Sequence, residues 1–249
     1  MGGSFQQVSL LQTDPLEESK QILWADYDND GDKDLFVTHF LAENKLYQND
    51  GNMNFTDVTA AAGLVTPDRA TYGACFGDYD KDGWLDLYVV NYSLGLSNPI
   101  PQRNFLFRNV GDGTFEETTL TAGVADSNRA PFIAAFLDYN NDTWPDIFVP
   151  SDKHKGSSLY ENQGDGTFIN VSDNANSNVL IDAMTVTVGD YDINDFLDIY
   201  ITNTVGGNSL THNNGDGTFS EMAGLAGVNF DAFSWGANWV DYDFDGDLD

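Results

Sequence analysis

The sequence predicts an all-β protein, a β-propeller built from four-stranded antiparallel blades. Five acidic nine-residue segments recur along the 249 residues, and their first residues stand 52, 60, 52 and 51 positions apart. A second motif, an apolar and aromatic strand followed by a Gly-rich turn and a Phe, follows the first four segments in step. No apolar pattern with a helical period is sustained in the chain. Short strands repeated with a period near 50 residues are typical of propeller blades.

The acidic segments are predicted to connect the first and second strands of each blade. They are named acidic loops one to five and span residues 26–34, 78–86, 138–146, 190–198 and 241–249. Together they contain 21 of the 40 Asp and Glu residues in only 45 positions. Apolar runs such as ILWA precede them, and segments rich in β-branched and aromatic residues, such as LFVTHF, follow the first four. Both kinds of segment are typical of strands.

The third and fourth strands of each blade are predicted within the second motif, at residues 44–55, 104–115, 157–168 and 208–219. In NFLFRNVGDGTF, alternating apolar positions precede a Gly-Asp-Gly turn, which supplies the positive φ that a tight hairpin needs. The final Phe begins the fourth strand. The connection that follows it, such as TAAAGL at residues 59–64, is predicted to form at most one turn of helix.

We expect residues 1–249 to form one propeller region that is incomplete at both ends. Phe5 precedes loop one by nearly the distance that separates the other motif Phe residues from the loops after them, so it is predicted to lie in a trailing fourth strand. The chain ends at Asp249, the last residue of loop five. Such a partial arc would have exposed strand edges that favour self-association. Loop five would bind a cation poorly, because no returning strand anchors it.

The spacing of the acids within the loops predicts calcium binding. Positions 1, 3, 5 and 9 offer side-chain oxygens and position 7 offers a main-chain carbonyl, a set that suits calcium because it accepts several oxygens with loose geometry. Magnesium prefers fewer protein ligands, and zinc and iron are disfavoured because no loop contains His or Cys. The alternative is a set of solvated acidic turns without a metal, in which the packed carboxylates would repel one another strongly.

The predicted ligands occupy positions 1, 3, 5, 7 and 9 of the loops, with Asp32 and Asp247 at position 7 of loops one and five. In chain order they are Asp26, Asp28, Asp30, Asp32, Asp34, Asp78, Asp80, Asp82, Trp84, Asp86, Asp138, Asn140, Asp142, Trp144, Asp146, Asp190, Asp192, Asn194, Phe196, Asp198, Asp241, Asp243, Asp245, Asp247 and Asp249. Loop three is predicted to be the weakest or empty, because it has Asn140 at position 3 and only three acids. It also has the β-branched Thr143 at position 6, where a positive φ is expected.

Two other calcium motifs are excluded. The EF-hand needs a bidentate Glu at position 12 and flanking helices. Position 12 of the first four loops is instead apolar, namely Val37, Val89, Val149 and Ile201, and the predicted flanks are strands. The glycine-rich nonapeptide repeat has a far shorter period than this chain.

The pattern DYDNDGDKDLFV, followed by NKLYQNDGNMNFTDVTAAAGL, resembles the FG-GAP/VCBS repeats of integrin-like propellers. It is most similar to the ASPIC/UnbV, or cartilage-acidic-protein-like, branch, and the resemblance covers essentially the whole chain. The resemblance implies a propeller, usually of seven blades, with calcium in the first hairpin of each blade. It also implies a secreted or cell-surface protein with an adhesive role, binding a protein or a glycan without catalysis. The alternative is a propeller that positions substrate for an enzyme domain elsewhere in a longer protein.

Composition excludes several functions. The formal net charge of −30 makes nucleic acid and anionic membrane surfaces poor partners. No apolar stretch is long enough for a membrane span, and the single Cys75 excludes a disulfide framework. No signal peptide is visible in the first 25 residues, which we attribute to truncation at the N-terminus.

The remaining candidate residues are interpreted as structural. His39, His154 and His212 lie in different repeats and accompany no nucleophile motif, so no catalytic site is predicted. Trp24 and Trp239 both lie two residues before a loop and are expected in the blade core. The end of the arc opposite the acidic loops carries most of the basic residues and the long loop at residues 91–104. That loop is predicted either to recognise a partner or to be an idle surface loop.

Overall fold

The computed structural model describes residues 17–52, 54–67, 69–94, 102–127 and 129–249. It confirms an all-β protein in which four-stranded antiparallel sheets form part of a propeller. The predicted strand around Phe5 and residues 95–101 of the long loop lie outside the described residues. No helix in the described ranges is long and apolar enough to cross a membrane.

Each blade is a meander in which every strand pairs with the next one along the chain. Blade 1 contains β1 (Glu18–Ala25), β2 (Asp34–Ala42), β3 (Lys45–Asn49) and β4 (Phe55–Asp57). Blade 2 contains β5 (Arg69–Gly77), β6 (Asp86–Asn91), β7 (Phe105–Asn109) and β8 (Phe115–Glu117). Blade 3 contains β9 (Ala135–Leu137), β10 (Asp146–Val149), β11 (Ser158–Asn162) and β12 (Phe168–Asn170). Blade 4 contains β13 (Ala183–Gly189), β14 (Asp198–Asn203), β15 (Ser209–Asn213) and β16 (Phe219–Glu221).

The described residues of each connection between blades contain at most one turn of α-helix. Helices α1 (Thr119–Ala122) and α2 (Ala223–Ala226) follow the fourth strands of blades 2 and 4 and confirm the single turn predicted there. Each of the two helices ends at a glycine in the left-handed conformation, which is a common helix stop.

Blades 1 and 2 are joined into one eight-stranded sheet, a feature that the sequence analysis does not predict. The nine-residue strand β2 extends past its hairpin, and Phe40 and Ala42 pair with Ala70 and Arg69 of β5. Blades 3 and 4 form separate four-stranded sheets. Strand β10, the second strand of blade 3, has only four residues, against nine in β2.

The hydrophobic core lies between neighbouring blades. One cluster joins Phe36 and Leu46 of blade 1 to Leu87 and Phe107 of blade 2, all almost fully buried. Similar clusters join blade 2 to blade 3 and blade 3 to blade 4. Burial of a large apolar side chain contributes about 1.5–3 kcal/mol. The apolar face of each blade is therefore covered by the neighbouring blade.

Trp24 is not a core residue, and that prediction is wrong. Trp24 is 55% exposed and packs edge to face with the Phe55 ring, at a centroid distance of 6.0 Å. The equivalent Phe76 packs against Phe36 of the preceding blade, whereas no described blade precedes blade 1. Trp239 does have a preceding blade and stacks on Tyr191 at 6.0 Å.

Candidate metal centre

All five acidic loops adopt one backbone conformation although their sequences differ. Positions 4 and 6 have φ between 55° and 99° in every loop, at Asn29, Gly31, Lys81, Gly83, Asn141, Thr143, Ile193, Asp195, Phe244 and Gly246. For the β-branched Ile193 and Thr143 this region is strained, at a cost on the order of 1–2 kcal/mol. The surrounding fold therefore imposes the loop shape, and Thr143 adopts it rather than preventing it.

The Asp at position 9 anchors each of the first four loops to its blade. In loop two, Asp86 is fully buried, and its carboxylate accepts hydrogen bonds from the backbone N–H groups of Tyr79 at 2.9 Å and Asn109 at 2.8 Å. Equivalent pairs of bonds are present in loops one, three and four. Each carboxylate oxygen retains lone-pair capacity for a cation.

The side chains at positions 1, 3 and 9 converge in three loops. One ligand atom from each residue lies within 4.8 Å of the others in the groups Asp26, Asp28 and Asp34; Asp78, Asp80 and Asp86; and Asp241, Asp243 and Asp249. In loop one, Oδ1 of Asp26 and Oδ1 of Asp28 are buried without a hydrogen-bond partner. Because a buried polar atom without a partner is costly, these oxygens fit a bound cation, and an all-oxygen set fits calcium.

Loops three and four depart from this arrangement. Asn140 replaces the carboxylate at position 3 of loop three, and no converging group is found there among the described residues. In loop four the group consists of Asp192, Asp198 and His212, which lies in β15. The sequence analysis interpreted His212 as structural. His212 directly precedes Asn213, the Asn that ends the third strand and binds Asp198 of the loop through its backbone N–H. This sequence position was the signal that could have placed His212 beside the loop.

Positions 5 and 7 form a turn within each loop. The position-5 side chain accepts a hydrogen bond from the position-7 backbone N–H in every loop, as from Trp84 to Asp82 at 2.9 Å. The Trp84 side chain covers Gly111, where a Cβ would lie 2.8 Å from the indole nitrogen. These two positions lie outside the converging groups, so their role as calcium ligands stays a prediction.

The Asn at the end of each third strand connects neighbouring blades, a role that the sequence analysis missed. Asn109 Nδ2 donates to the backbone carbonyl of Tyr27, in loop one of the preceding blade, at 2.8 Å. The same bond joins Asn162 to Tyr79 and Asn213 to Tyr139. Each of these Tyr rings also packs against the motif Phe of the following blade, at centroid distances of 5.6–5.9 Å.

Neighbouring loops also contact one another directly. The position-4 side chain of one loop reaches position 6 of the next, as from Asn29 Nδ2 to the Gly83 carbonyl at 3.0 Å. Lys81 Nζ likewise donates to Thr143 Oγ1 and lies 4.2 Å from the centroid of the Trp144 ring. The loops are therefore held side by side along one end of the arc.

In the metal-free protein, burial makes the anchoring carboxyl groups weaker acids than an ordinary Asp side chain. It raises the pKa of Asp34 to about 6, of Asp86 to about 8 and of Asp146 to about 7, although backbone N–H donors oppose the rise. Burial also raises the pKa of Asp198. A bound cation would favour the ionised form at each position.

The FG-GAP-like repeat matches residues 26–89, 94–149 and 138–201, which is more than half of the chain. The chain belongs to the FG-GAP repeat family. This FG-GAP protein is similar to cartilage acidic protein 1 of Mus musculus, with 27% identity over 126 residues. That alignment covers 50% of this chain and 18% of the mouse protein. Both findings confirm the predicted family.

Solved structures with a similar chain path are less closely related in sequence. A lectin of Agrocybe aegerita, which recognises non-reducing terminal N-acetylglucosamine, has 21% identity and a TM-score of 0.46, over 82% of this chain and 51% of the lectin. The V. cholerae biofilm matrix protein Bap1 has 14% identity and a TM-score of 0.38, over 82% of this chain and 39% of Bap1. This FG-GAP chain therefore spans about half or less of the length of these relatives.

Proposed function

We propose that this FG-GAP chain is a calcium-stabilised, extracellular binding module without catalytic activity. The observation that carries the proposal is the convergence of three carboxylates in each of loops one, two and five, with two buried oxygens of loop one lacking partners. In a chain with a net charge of −30, bound calcium would also relieve the repulsion among the acids.

Calcium would act by stabilising the fold. A site filled at 100 times its dissociation constant contributes about 2.7 kcal/mol to the free energy of unfolding. Domains are typically stable by only about 5–15 kcal/mol, so two or three such sites would decide whether the chain folds. The similarity to cartilage acidic protein 1 supports an extracellular setting, where calcium modules function with dissociation constants near 10⁻⁴–10⁻³ M.

A concave surface formed by the first strands of blades 1, 2 and 4 and by the segments around Phe132 and Trp235 is the candidate binding face. The residues six positions before the five loops, Lys20, Tyr72, Phe132, Met184 and Trp235, line a cavity of about 490 Å³ there. Tyr72 and Phe132 pack edge to face at 4.7 Å, and Trp235 is 70% exposed.

No carboxylate lines this cavity, although acids dominate the chain. The charged lining residue Lys20 is already paired with Glu18. The aromatic faces of the cavity, together with the amide of Gln21 and the hydroxyl of Thr185, therefore suit a neutral partner. A neutral sugar of a glycan or an apolar protein side chain has this chemistry, so the proposed partner is a protein or a glycan.

Thermal unfolding in calcium and in excess chelator tests the calcium role. The melting temperature should fall by well over 10 °C on chelation, because two or more sites are lost. Asp112→Asn, an exposed acid outside the loops, should respond like the original chain. Coincident melting curves in calcium and chelator would reject the proposal.

A glycan array probed with the calcium-loaded chain tests the binding face. Neutral glycans should be retained, and Trp235→Ala should abolish retention, whereas Phe244→Ala, which removes an exposed ring of loop five, should not. Retention that survives Trp235→Ala would exclude the concave surface as the binding face.

A further inference from the structure

The residue directly before the strand-ending Asn faces position 3 of the acidic loop in three blades. Gln48 Nε2 donates to Asp28 Oδ2 at 2.6 Å in blade 1, and Arg108 Nη1 lies 3.9 Å from Asp80 Oδ2 in blade 2. Both of these nitrogens carry hydrogens and no available lone pair, so neither can bind a cation.

In blade 4 the same position is His212, whose neutral imidazole does carry a lone pair. Its Nδ1 lies 3.0 Å from Asp198 Oδ1 and 3.7 Å from Asp192 Oδ2. The ring is half-buried and packs edge to face against Tyr191 at 5.9 Å, which orients it towards the loop. This group contains His212 and not Asp190, the first Asp of loop four, whereas the groups of loops one, two and five each contain the first Asp of their loop.

The separations among these donors are short enough for one cation to bind them together. Tetrahedral zinc bonds of about 2.0–2.2 Å place neighbouring ligand atoms about 3.3–3.6 Å apart. Calcium bonds of about 2.3–2.6 Å allow similar spacings, so the nitrogen donor, and not the spacing, favours zinc. Loop four also has the neutral Asn194 at position 5, where loops one and two have Asp30 and Asp82. Calcium would therefore find fewer charged oxygens there than in loops one and two.

We propose that loop four is a zinc site, with Nδ1 of His212 and the carboxylates of Asp192 and Asp198 as its protein ligands. Imidazole nitrogen is a preferred ligand of zinc and of its neighbours in the first transition row, whereas calcium selects oxygen. The inference rests on the proposed cation-binding role of the loops, and it gives one of them a different metal. Calcium then stabilises loops one and two while loop four responds to zinc.

Isothermal titration calorimetry of zinc binding to the metal-stripped chain tests the site. The original chain is compared with His212→Gln, a variant that carries the residue type found at this position in blade 1. His154→Gln is the matched control, because His154 Nδ1 also contacts a carboxylate, that of Asp182 at 2.8 Å, away from the loops. We expect His212→Gln to lower zinc affinity by at least about tenfold, since even outer-shell partners of metal sites are worth that much. His154→Gln should leave the affinity unchanged.

A second readout follows the imidazole itself in the original chain. NMR of ¹⁵N-labelled histidine should show a zinc-dependent shift of the His212 Nδ1 resonance that calcium does not produce. The proposal would be overturned if zinc bound His212→Gln and the original chain equally well and left the Nδ1 resonance unshifted. The contact between His212 and the two carboxylates would then be an ion pair and not part of a metal site. The calcium-dependent melting of His212→Gln reports separately on the proposed function, because loops one and two are unchanged in that variant.

Discussion

Acidic loops two and three have the same backbone and different side chains. In both, the last Asp is fully buried and accepts two backbone hydrogen bonds of 2.8–3.1 Å. Loop two has Asp80 and Gly83 where loop three has Asn140 and Thr143, and only loop two gathers three carboxylates. The anchoring Asp and the neighbouring strands are alike in both loops and therefore account for the shared loop shape. The side chain at position 3 differs, and with it the number of carboxylates that a cation would meet.

The largest effect is expected from removing the anchoring carboxylate. Asp86→Ala and Asp146→Ala each leave two buried N–H groups without a partner, so each should lower the free energy of unfolding by about 2–5 kcal/mol without calcium. With calcium at 100 times its dissociation constant, Asp86→Ala should cost about 2.7 kcal/mol more, because a bound ion is also lost. Urea unfolding with and without calcium measures both variants. If calcium changed the unfolding free energies of the two variants equally, the prediction that loop two binds calcium and loop three does not would be contradicted.

The next largest effect is expected from exchanging position 3 between the loops. Asn140→Asp gives loop three a third carboxylate and should add one bound calcium and about 2–3 kcal/mol of stability near saturation. Asp80→Asn makes the reverse change in loop two and should remove one calcium. Native mass spectrometry counts the ions. An unchanged count in both variants would mean that position 3 does not decide occupancy.

The pH dependence should have opposite signs with and without calcium. In the metal-free chain Asp86 has a pKa of about 8, above its unfolded value, so the stability it contributes is present below about pH 4 and is lost as the pH rises through 8. Calcium binds the ionised form, so its affinity should rise over the same range. Urea unfolding of stripped and calcium-loaded protein at pH 5.5 and 8 checks this. Parallel pH profiles for the two forms would show that the anchoring carboxyl is not linked to calcium.

The smallest effect concerns the backbone at position 6. Thr143→Gly should stabilise the chain by about 1 kcal/mol, because it relieves a β-branched residue at φ 75°. Gly83→Ala should destabilise it by a similar amount, since a Cβ there meets no atom within 4 Å and only backbone strain changes. Denaturant midpoints measure both, and a destabilising Thr143→Gly would show that the Lys81 contact to the Thr143 hydroxyl outweighs the strain.

Much of the fold and part of the site could be predicted because the relevant signals are local and repeated. The loops, their flanking strands and the Gly-Asp-Gly turns occur within segments of a dozen residues, and five copies average out the ambiguity of any one of them. Positions 1, 3 and 9, three of the five predicted ligand positions, lie together for the same reason, because one loop conformation brings those side chains to one side in loops one, two and five.

The contacts between blades could not be predicted in this way. Asn109 and its partner Tyr27 are 82 residues apart, and Asn213 and Tyr139 are 74 apart. Nothing in either segment alone indicates the other. The exposure of Trp24 depends in the same way on whether a neighbouring blade covers it.

The sequence by itself determined the repeat, the four-stranded blade and the acidic loop with its oxygen donors, because each follows from residue types at short, recurring spacings. Only the tertiary structure decided which side chains from other strands complete each loop. It brought His212 to loop four, Gln48 to loop one and Arg108 to loop two, through a pairing of strands that no spacing within a loop reveals. The physical reason is that a loop fixes the direction of its own carboxylates, whereas the charge and the lone pairs facing them come from a different strand of the folded blade.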